Sequence, residues 1–559
     1  MQYISEIYLG RNRGLEKTIA AATITDMKTS EDTALTANHF YVFFVIISTA
    51  LILGRIFAVD RVDVQKLQET RLRQAYEKYQ QLAAQPPPLA EGQRNIELEK
   101  RWAKLYNDAI VESPMLSGND RSRWCTIRAL VEPDLRVVRT VQGNDGKERR
   151  EYVWYAIDKV QTIRGWDTID MVKHSLPDQP EIGYLYSSKP PLLPTLMAIP
   201  YALIYWGSGQ TITLETQPYL VIRLMLILLH VIPLIITWIL LFRLLDRFAN
   251  SDWSKIYCAA FLCFGTFLST FCVTLNNHLP AVFCITVALY CGVRIIFDGK
   301  TQLRYFFSAG FFAFFAVTCE LPALAFFGLL GLLLLYFYPR QTLTAGAAGA
   351  LLVTIPFFAA NHVAHHTWRP AYSKPEWYQY EYERGGVVRR SYWENPVGID
   401  RGEPSRLAYI FNSMLGHHGI FSLTPVWFLT FAGLVFWLRS HGTDGRRQTA
   451  DGRRADTRFL AALILLLSLV VFLFYMGQAQ PNRNYGGMSC ALRWMFWLIP
   501  LWILPLAEAA NRISSSRFWR SVAMLFLAVS VISAAYPVWN PWSQPWLYRL
   551  FVYLNLPVI

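Results

Sequence analysis

Eight side chains in this sequence have the types and settings that proton transfer and anion binding demand. Asp120 lies in Gly118-Asn-Asp-Arg-Ser-Arg-Trp124, flanked by Asn119, Arg121 and Arg123. A carboxylate among cations takes or orients a proton, while the cations stabilise a departing phosphate. The same Asn-Asp pair equally suits the cap of a helix over residues 121–132. Lys189 precedes Pro190 and Pro191, whose rings fix the local backbone. It either offers a point charge to a lipid phosphate or snorkels at a membrane surface.

Glu320 interrupts an apolar stretch in Thr318-Cys-Glu-Leu-Pro-Ala323. An acid at membrane depth is a functional candidate, and with Pro322 it also marks the turn of a hairpin. His278 closes the polar turn Asn276-Asn-His, where an imidazole binds phosphate or relays a proton. His417 and His418 open a later apolar run, and His417 joins the phosphate candidates; two adjacent histidines with no third ligand make a poor metal site. Arg483 and Arg493 flank Gly486-Gly487, pairing planar donors with a backbone free to approach a ligand closely. The carboxylates Asp120 and Glu320 are the expected catalytic pair. Lys189, Arg123, His278, His417, Arg483 and Arg493 are the expected substrate and phosphate contacts.

The elements that must position these groups are membrane helices. Only 17% of the 559 residues are charged, against about a quarter in soluble proteins, and the deficit falls after residue 190. The net charge of +13 raises nucleic acid as a partner, but no recognition motif accompanies it. Basic connections between spans explain it better. Apolar runs predict about eleven spans at 39–58, 218–242, 254–275, 279–297, 304–319, 321–338, 342–360, 424–438, 459–476, 493–510 and 517–535. Residues 191–206 are apolar, short and punctuated by Pro194 and Pro200, and are expected to lie in the interface. Making them a crossing would turn Arg243, Arg247, Lys300, Arg340 and the cluster 439–458 outward, against the positive-inside rule.

The expected organisation follows. Residues 1–38 are a cytoplasmic segment, with no cleavable signal, and 39–58 an anchor. Residues 59–217 form a large extracytoplasmic loop, in which 59–112 read as two polar helices around Pro86-Pro-Pro88. Strands are expected at 135–141 and 150–155. A helical bundle over 218–360, a second outer loop over 361–423, a bundle over 424–536 with the basic loop 439–458, and an aromatic interfacial tail over 537–559 complete the chain. Six of the eight cysteines lie in apolar runs as packing residues; Cys125 and Cys490 fall outside, and a bridge between them is left open. No internal repeat of 20–50 residues is visible.

Together these residues resemble the GT-C glycosyltransferases that use polyprenyl-phosphate sugars, such as protein O-mannosyltransferases and the lipid A aminoarabinose transferase. In that family an acidic motif opens the first outer loop, and Gly118–Trp124 looks like its counterpart. A Lys-Pro-Pro segment running into an interfacial helix ends it, as in Ser188-Lys-Pro-Pro-Leu192. The resemblance covers residues 110–510 and implies a multi-pass protein of the inner (plasma) membrane with a GT-C-like fold and a cytoplasmic N-terminus. It implies transfer of a sugar from a lipid-linked donor to a glycan, lipid or protein acceptor on the extracytoplasmic side. Two departures stand out. Asn119 sits where many members carry a second acid, and Asn276, Asn277 and His278 fill a turn that often holds Asp. No cofactor is expected, and a divalent cation has no ligand set behind it. A transporter or flippase of a lipid-linked saccharide is the rival reading, for which repeat symmetry is lacking. An assembly protein using 59–112 as its contact surface is the third.

Overall fold

The computed structural model describes residues 37–58, 64–86, 88–109, 115–142, 145, 147–384, 386–439, 447–448, 454–537 and 540–558. The N-terminal segment 1–36 and most of the basic loop 439–458 lie outside these residues. Among the described residues seven helices are long and apolar enough to cross a membrane: Ala37–Ala58 (α1), Pro218–Phe248, Asp252–Val273, His278–Asp298, Pro339–His365, Thr457–Met476 and Arg517–Ala535. Three further expected spans are helical but shorter, at Leu303–Cys319, Leu321–Phe337 and Val426–Arg439. The first two are short because Glu320, in extended backbone, ends one helix and Pro322 opens the next. The expected span 493–510 is a 3-10 turn, Arg493–Leu498, running into the helix Ile499–Ile513.

The helices meet in polar contacts at two opposite ends. At one end Arg247 pairs with Asp298, Lys255 with Asp246 (3.4 Å), and Asn511 accepts from the Ser254 hydroxyl (2.7 Å). At the other, the turn 274–278 meets the first large loop, Cys319, Glu320 and the tail at Trp542. That loop carries the mixed structure its sequence suggests. The polar runs form α2 (Val64–Ala84) and α3 (Glu91–Ala109) around the proline break. The alternating runs form an antiparallel hairpin, β1 (Val137–Gln142) with β2 (Glu148–Val153). A second hairpin, β3 (Met171–Leu176) with β4 (Gln179–Ser187), delivers the chain to Lys189.

Between the hairpins and the bundle runs α4 (Gly118–Val131), buried along most of its length. A short helix α5 (Asp158–Thr162) follows β2, and α6 (Leu192–Gly207) lies beside α4. Two hydroxyl contacts tie α6 to the loop. The Tyr155 hydroxyl meets the Thr195 hydroxyl at 2.9 Å, and further along the Tyr201 hydroxyl donates to Glu132 at 2.7 Å. Its outward stripe of Leu196, Ile199, Leu203 and Trp206 recurs at helical spacing and is exposed. An exposed apolar stripe of this kind suits contact with lipid. The second loop docks on the first through Lys173 Nζ to the Glu381 carbonyl (2.8 Å), Arg384 to Asp167 (3.0 Å) and Trp393 Nε1 to the Ile169 carbonyl (2.9 Å). Cys125 and Cys490 are both buried, free thiols.

One ion cluster fastens α4 to the segment that follows α6. Arg128, fully buried, donates to both oxygens of Glu132 (2.8 and 2.7 Å) and to Glu215 (2.7 Å), with Trp166 4.4 Å beneath its guanidinium. Removing the cation strands a buried carboxylate. Arg128→Ala is therefore expected to cost about 3–5 kcal/mol, seen as a lower melting temperature of the detergent-solubilised protein.

Candidate functional site

The site end of the bundle encloses a cavity of about 1110 Å³. Its walls come from the start of α4, the loop between α5 and β3, Lys189-Pro190, the turn Asn277-His278, the break at Glu320, the second loop and residues 474–494.

Construction begins at the N-terminus of α4. Ser117 accepts from the backbone N–H groups of Asn119 (3.1 Å) and Asp120 (3.3 Å), and the Asp120 carboxylate returns to the N–H groups of Leu116 (2.8 Å) and Ser117 (3.0 Å). This is a reciprocal capping box. Oδ2 of Asp120 also accepts from the Thr274 hydroxyl at 2.8 Å. Burial raises the Asp120 pKa above the usual carboxylate range, while the bonds from Thr274, Ser117 and Leu116 oppose that rise. Asp120 does not line the cavity. The geometry therefore gives it the capping place rather than the catalytic one expected from its neighbours.

One turn later, Arg123 projects onto the cavity wall. Nη1 donates to the side chain (2.6 Å) and carbonyl (2.9 Å) of Asn119, and Nη2 to Oδ1 of Asn277 (2.6 Å). Asn277 turns its amide nitrogen to Oε1 of Glu320 (2.7 Å) and to the Cys319 carbonyl (2.9 Å). Glu320 Oε1 also contacts Nδ1 of His278, whose Nε2 lies 2.7 Å from Nη1 of Arg493. Arg493 donates through Nε and Nη2 to the Gly486 carbonyl (2.9 and 2.6 Å) and stacks over Trp542 at 4.7 Å. Gly486 and Gly487 both take positive φ. A side chain on Gly486 would press on the Arg493 guanidinium at about 3.1 Å, so glycine is needed there for close approach as well as conformation. Trp542 Nε1 donates to Thr274 (3.0 Å), which returns the chain of contacts to Asp120.

The charges on the walls are unevenly paired. Lys189 Nζ holds Asp170 at 3.0 Å, and Arg121 reaches the Asp167 carbonyl at 2.6 Å. Arg123 and Arg493 have no carboxylate within 4 Å among the described residues; their contacts are amides, carbonyls, an imidazole and an aromatic face. Burial pulls the Arg123 pKa down to about 10, with the positive charge of Arg493 adding to the effect and Asp170 opposing it. Lys189 is lowered by burial too, against the pull of Asp170. Across the cavity, Asp400 accepts from the Tyr392 hydroxyl (2.9 Å), and burial raises its pKa.

Of the eight residues singled out by sequence, Lys189, Arg123, His278, Glu320 and Arg493 meet at this cavity. Asp120, Arg483 and His417 do not. Arg483 spends its guanidinium on the backbone carbonyls of Gln478, Glu403 and Pro404, tying two loops together. His417 is buried against His418, Tyr485, Tyr548 and Phe551 as a packing residue. Sequence reasoning passed over Asp170, Asp400 and the bridging role of Asn277. Asn277 carried a signal, a polar pair between two apolar helices, whereas the two acids sit in polar surroundings with nothing local to mark them. Among the described residues no three histidine, cysteine or acidic side chains are placed to hold a metal ion.

No protein-family model matches the chain, and no curated protein matches it. Among solved structures, the archaeal oligosaccharyltransferase AglB from Archaeoglobus fulgidus, in complex with an inhibitory peptide and a dolichol-phosphate, is 13% identical over 67% of this chain, with a TM-score of 0.26. The match covers 51% of that protein, so the chain spans about half its length.

The capping geometry makes a measurable distinction. Asp120→Ala removes the acceptor for two backbone donors and Thr274, and is expected to cost at least about 1 kcal/mol of stability. Its signature is a lowered melting temperature with ligand affinity retained in the fraction that stays folded.

Proposed function

We propose that this protein is a membrane glycosyltransferase. It moves a sugar from a polyprenyl-phosphate-linked donor to a glycan, lipid or protein acceptor at the extracytoplasmic face of the plasma membrane. The observation that carries the reading is the pair of guanidiniums, Arg123 and Arg493, facing one cavity without carboxylate partners and sharing its wall with Glu320. A guanidinium has five N–H donors. Three contacts engage each of these two, leaving two N–H groups apiece for the oxygens of a phosphate. Lys189 adds a third cation.

The cavity also suits an amphiphile. Beside the polar groups its lining includes Leu321 and Phe474, apolar and exposed on helices of the bundle. A prenyl chain leaving between them would stay in hydrocarbon while its phosphate reached the cations. Orientation rests on charge. Arg243, Arg247, Lys255, Arg512, Arg517 and Arg520 belong to the connections at the opposite end, which the positive-inside rule assigns to the cytoplasm.

In the reaction an acceptor hydroxyl or amine attacks the anomeric carbon. A bond forms from the acceptor atom to that carbon, and the bond from carbon to phosphate oxygen breaks, its electron pair leaving with the phosphate. Arg123, Arg493 and Lys189 stabilise the added negative charge. Glu320 takes the acceptor proton on Oε2, since Oε1 is held by Asn277 and His278. The transporter reading needs no base, and the placement of Glu320 beside the cations favours chemistry.

The test uses purified protein with radiolabelled polyprenyl-phosphate sugars and cell-envelope glycan, lipid and protein fractions. Glu320→Gln is expected to lower transfer at least about 100-fold while lipid-phosphate binding persists, because the amide oxygen still accepts from Asn277. Transfer by Glu320→Gln at the unaltered rate would overturn the assignment of the base.

A further inference from the structure

The imidazole of His278 stands between the two groups that the proposed reaction uses, and its contacts leave it one protonation form. Nε2 faces Nη1 of Arg493 at 2.7 Å. A guanidinium donates and never accepts, so Nε2 is the accepting nitrogen and bears no proton. The proton of the neutral ring sits on Nδ1, which donates to Oε1 of Glu320. Oε1 receives a second donor from Asn277 at 2.7 Å, an arrangement suited to an ionised carboxylate. The ring itself is 2% exposed and held edge-on by Phe271 and Phe496, with centroids 6.3 and 6.1 Å away.

We propose that His278 is a positioning residue that, as the neutral Nδ1–H tautomer, keeps Glu320 and Arg493 from closing into a direct ion pair. The inference rests on the functional reading above and names what keeps that site open. A carboxylate and a guanidinium on one water-poor wall would otherwise pair, by two parallel hydrogen bonds where geometry allows. Such a pair consumes both groups: the base loses the lone pairs it needs, and the cation is turned away from the phosphate. A neutral ring with a donor on one edge and an acceptor on the other satisfies both neighbours and neutralises neither. No proton passes through it, because Nε2 faces a group that neither takes nor releases one at working pH. Its place in the sequence, immediately after Asn277, lets one turn hold Glu320 through Asn277 and space it from Arg493 through His278.

The test reads binding of dodecyl phosphate to the full-length protein in detergent, through tryptophan fluorescence from Trp542 beneath Arg493 and Trp494 on the cavity wall. His278→Leu fills the ring's volume without either polar contact, and is expected to weaken binding at least about tenfold, the loss of one charge-assisted contact. His278→Gln offers one donor and one acceptor and is expected to restore most of it. The decisive variant is the double His278→Leu/Glu320→Gln. With no carboxylate to capture Arg493, it is expected to regain affinity that the single variant lost, a rescue that mere loss of packing does not produce. If His278→Leu does not fold, His278→Ala takes its place with the same second substitution. Unchanged affinity in the single variant, or a double no better than the single, would overturn the inference alone. Failure of the unaltered protein to bind dodecyl phosphate would overturn the phosphate reading, and the inference with it.

Discussion

The structure of the site depends on one buried run of hydrogen bonds, Arg123–Asn277–Glu320–His278–Arg493. It joins the first loop, two helix junctions and the late glycine turn, segments separated by 154, 43, 42 and 215 positions at its successive links. No local preference brings such groups together. Each member is satisfied by the next, and burying any one without its neighbour would leave an unpaired polar group or charge. The surrounding features serve this run. The capping box sets the start of α4 and hence the position of Arg123. Trp542 carries the Arg493 guanidinium on its face, and Gly486, at positive φ, lends its carbonyl where an added side chain would press on that guanidinium.

The same constraint explains the two-sided character of the cavity. Helices that cross a bilayer must satisfy their backbone internally, so irregular chain is tolerated at their ends only where it meets other protein or water. The break at Glu320 and the turn 274–278 are such places, and both open onto the cavity. Polar groups therefore gather where the apolar helices begin, and the cavity inherits a charged wall beside a hydrocarbon-like one. That juxtaposition matches a molecule with a phosphate head and a long apolar tail. It follows from how membrane helices end, before any question of function arises.

Much of this was readable in the sequence, for reasons tied to contrast. Glu320, His278 and Arg493 stand out because their surroundings are apolar, and Lys189 because two prolines follow it. The polar helices α2 and α3 and the first hairpin followed from periodicity and turn residues. Asp120 shows where sequence leaves two readings open. A carboxylate at the third position of a helix and a catalytic carboxylate in a loop have the same neighbours on paper, and only the direction of the side chain separates them. Arg483 and His417 lie off the cavity for a similar reason: they are polar residues near the glycine turn, one absorbed by backbone carbonyls and the other by aromatic rings. Asp170 and Asp400 were invisible because an acid in a polar loop carries no contrast. The β3–β4 hairpin, which turns at Pro177-Asp178, sets Asp170 opposite Lys189.

The measurement that bears most directly on this account is a cryo-electron microscopy structure of the protein in lipid nanodiscs with a polyprenyl phosphate. Phosphate density is expected in contact with the guanidiniums of Arg123 and Arg493, with the chain leaving past Leu321 and Phe474. A phosphate seated elsewhere, with both guanidiniums still turned to Asn277 and Gly486 and touching no ligand, would contradict it.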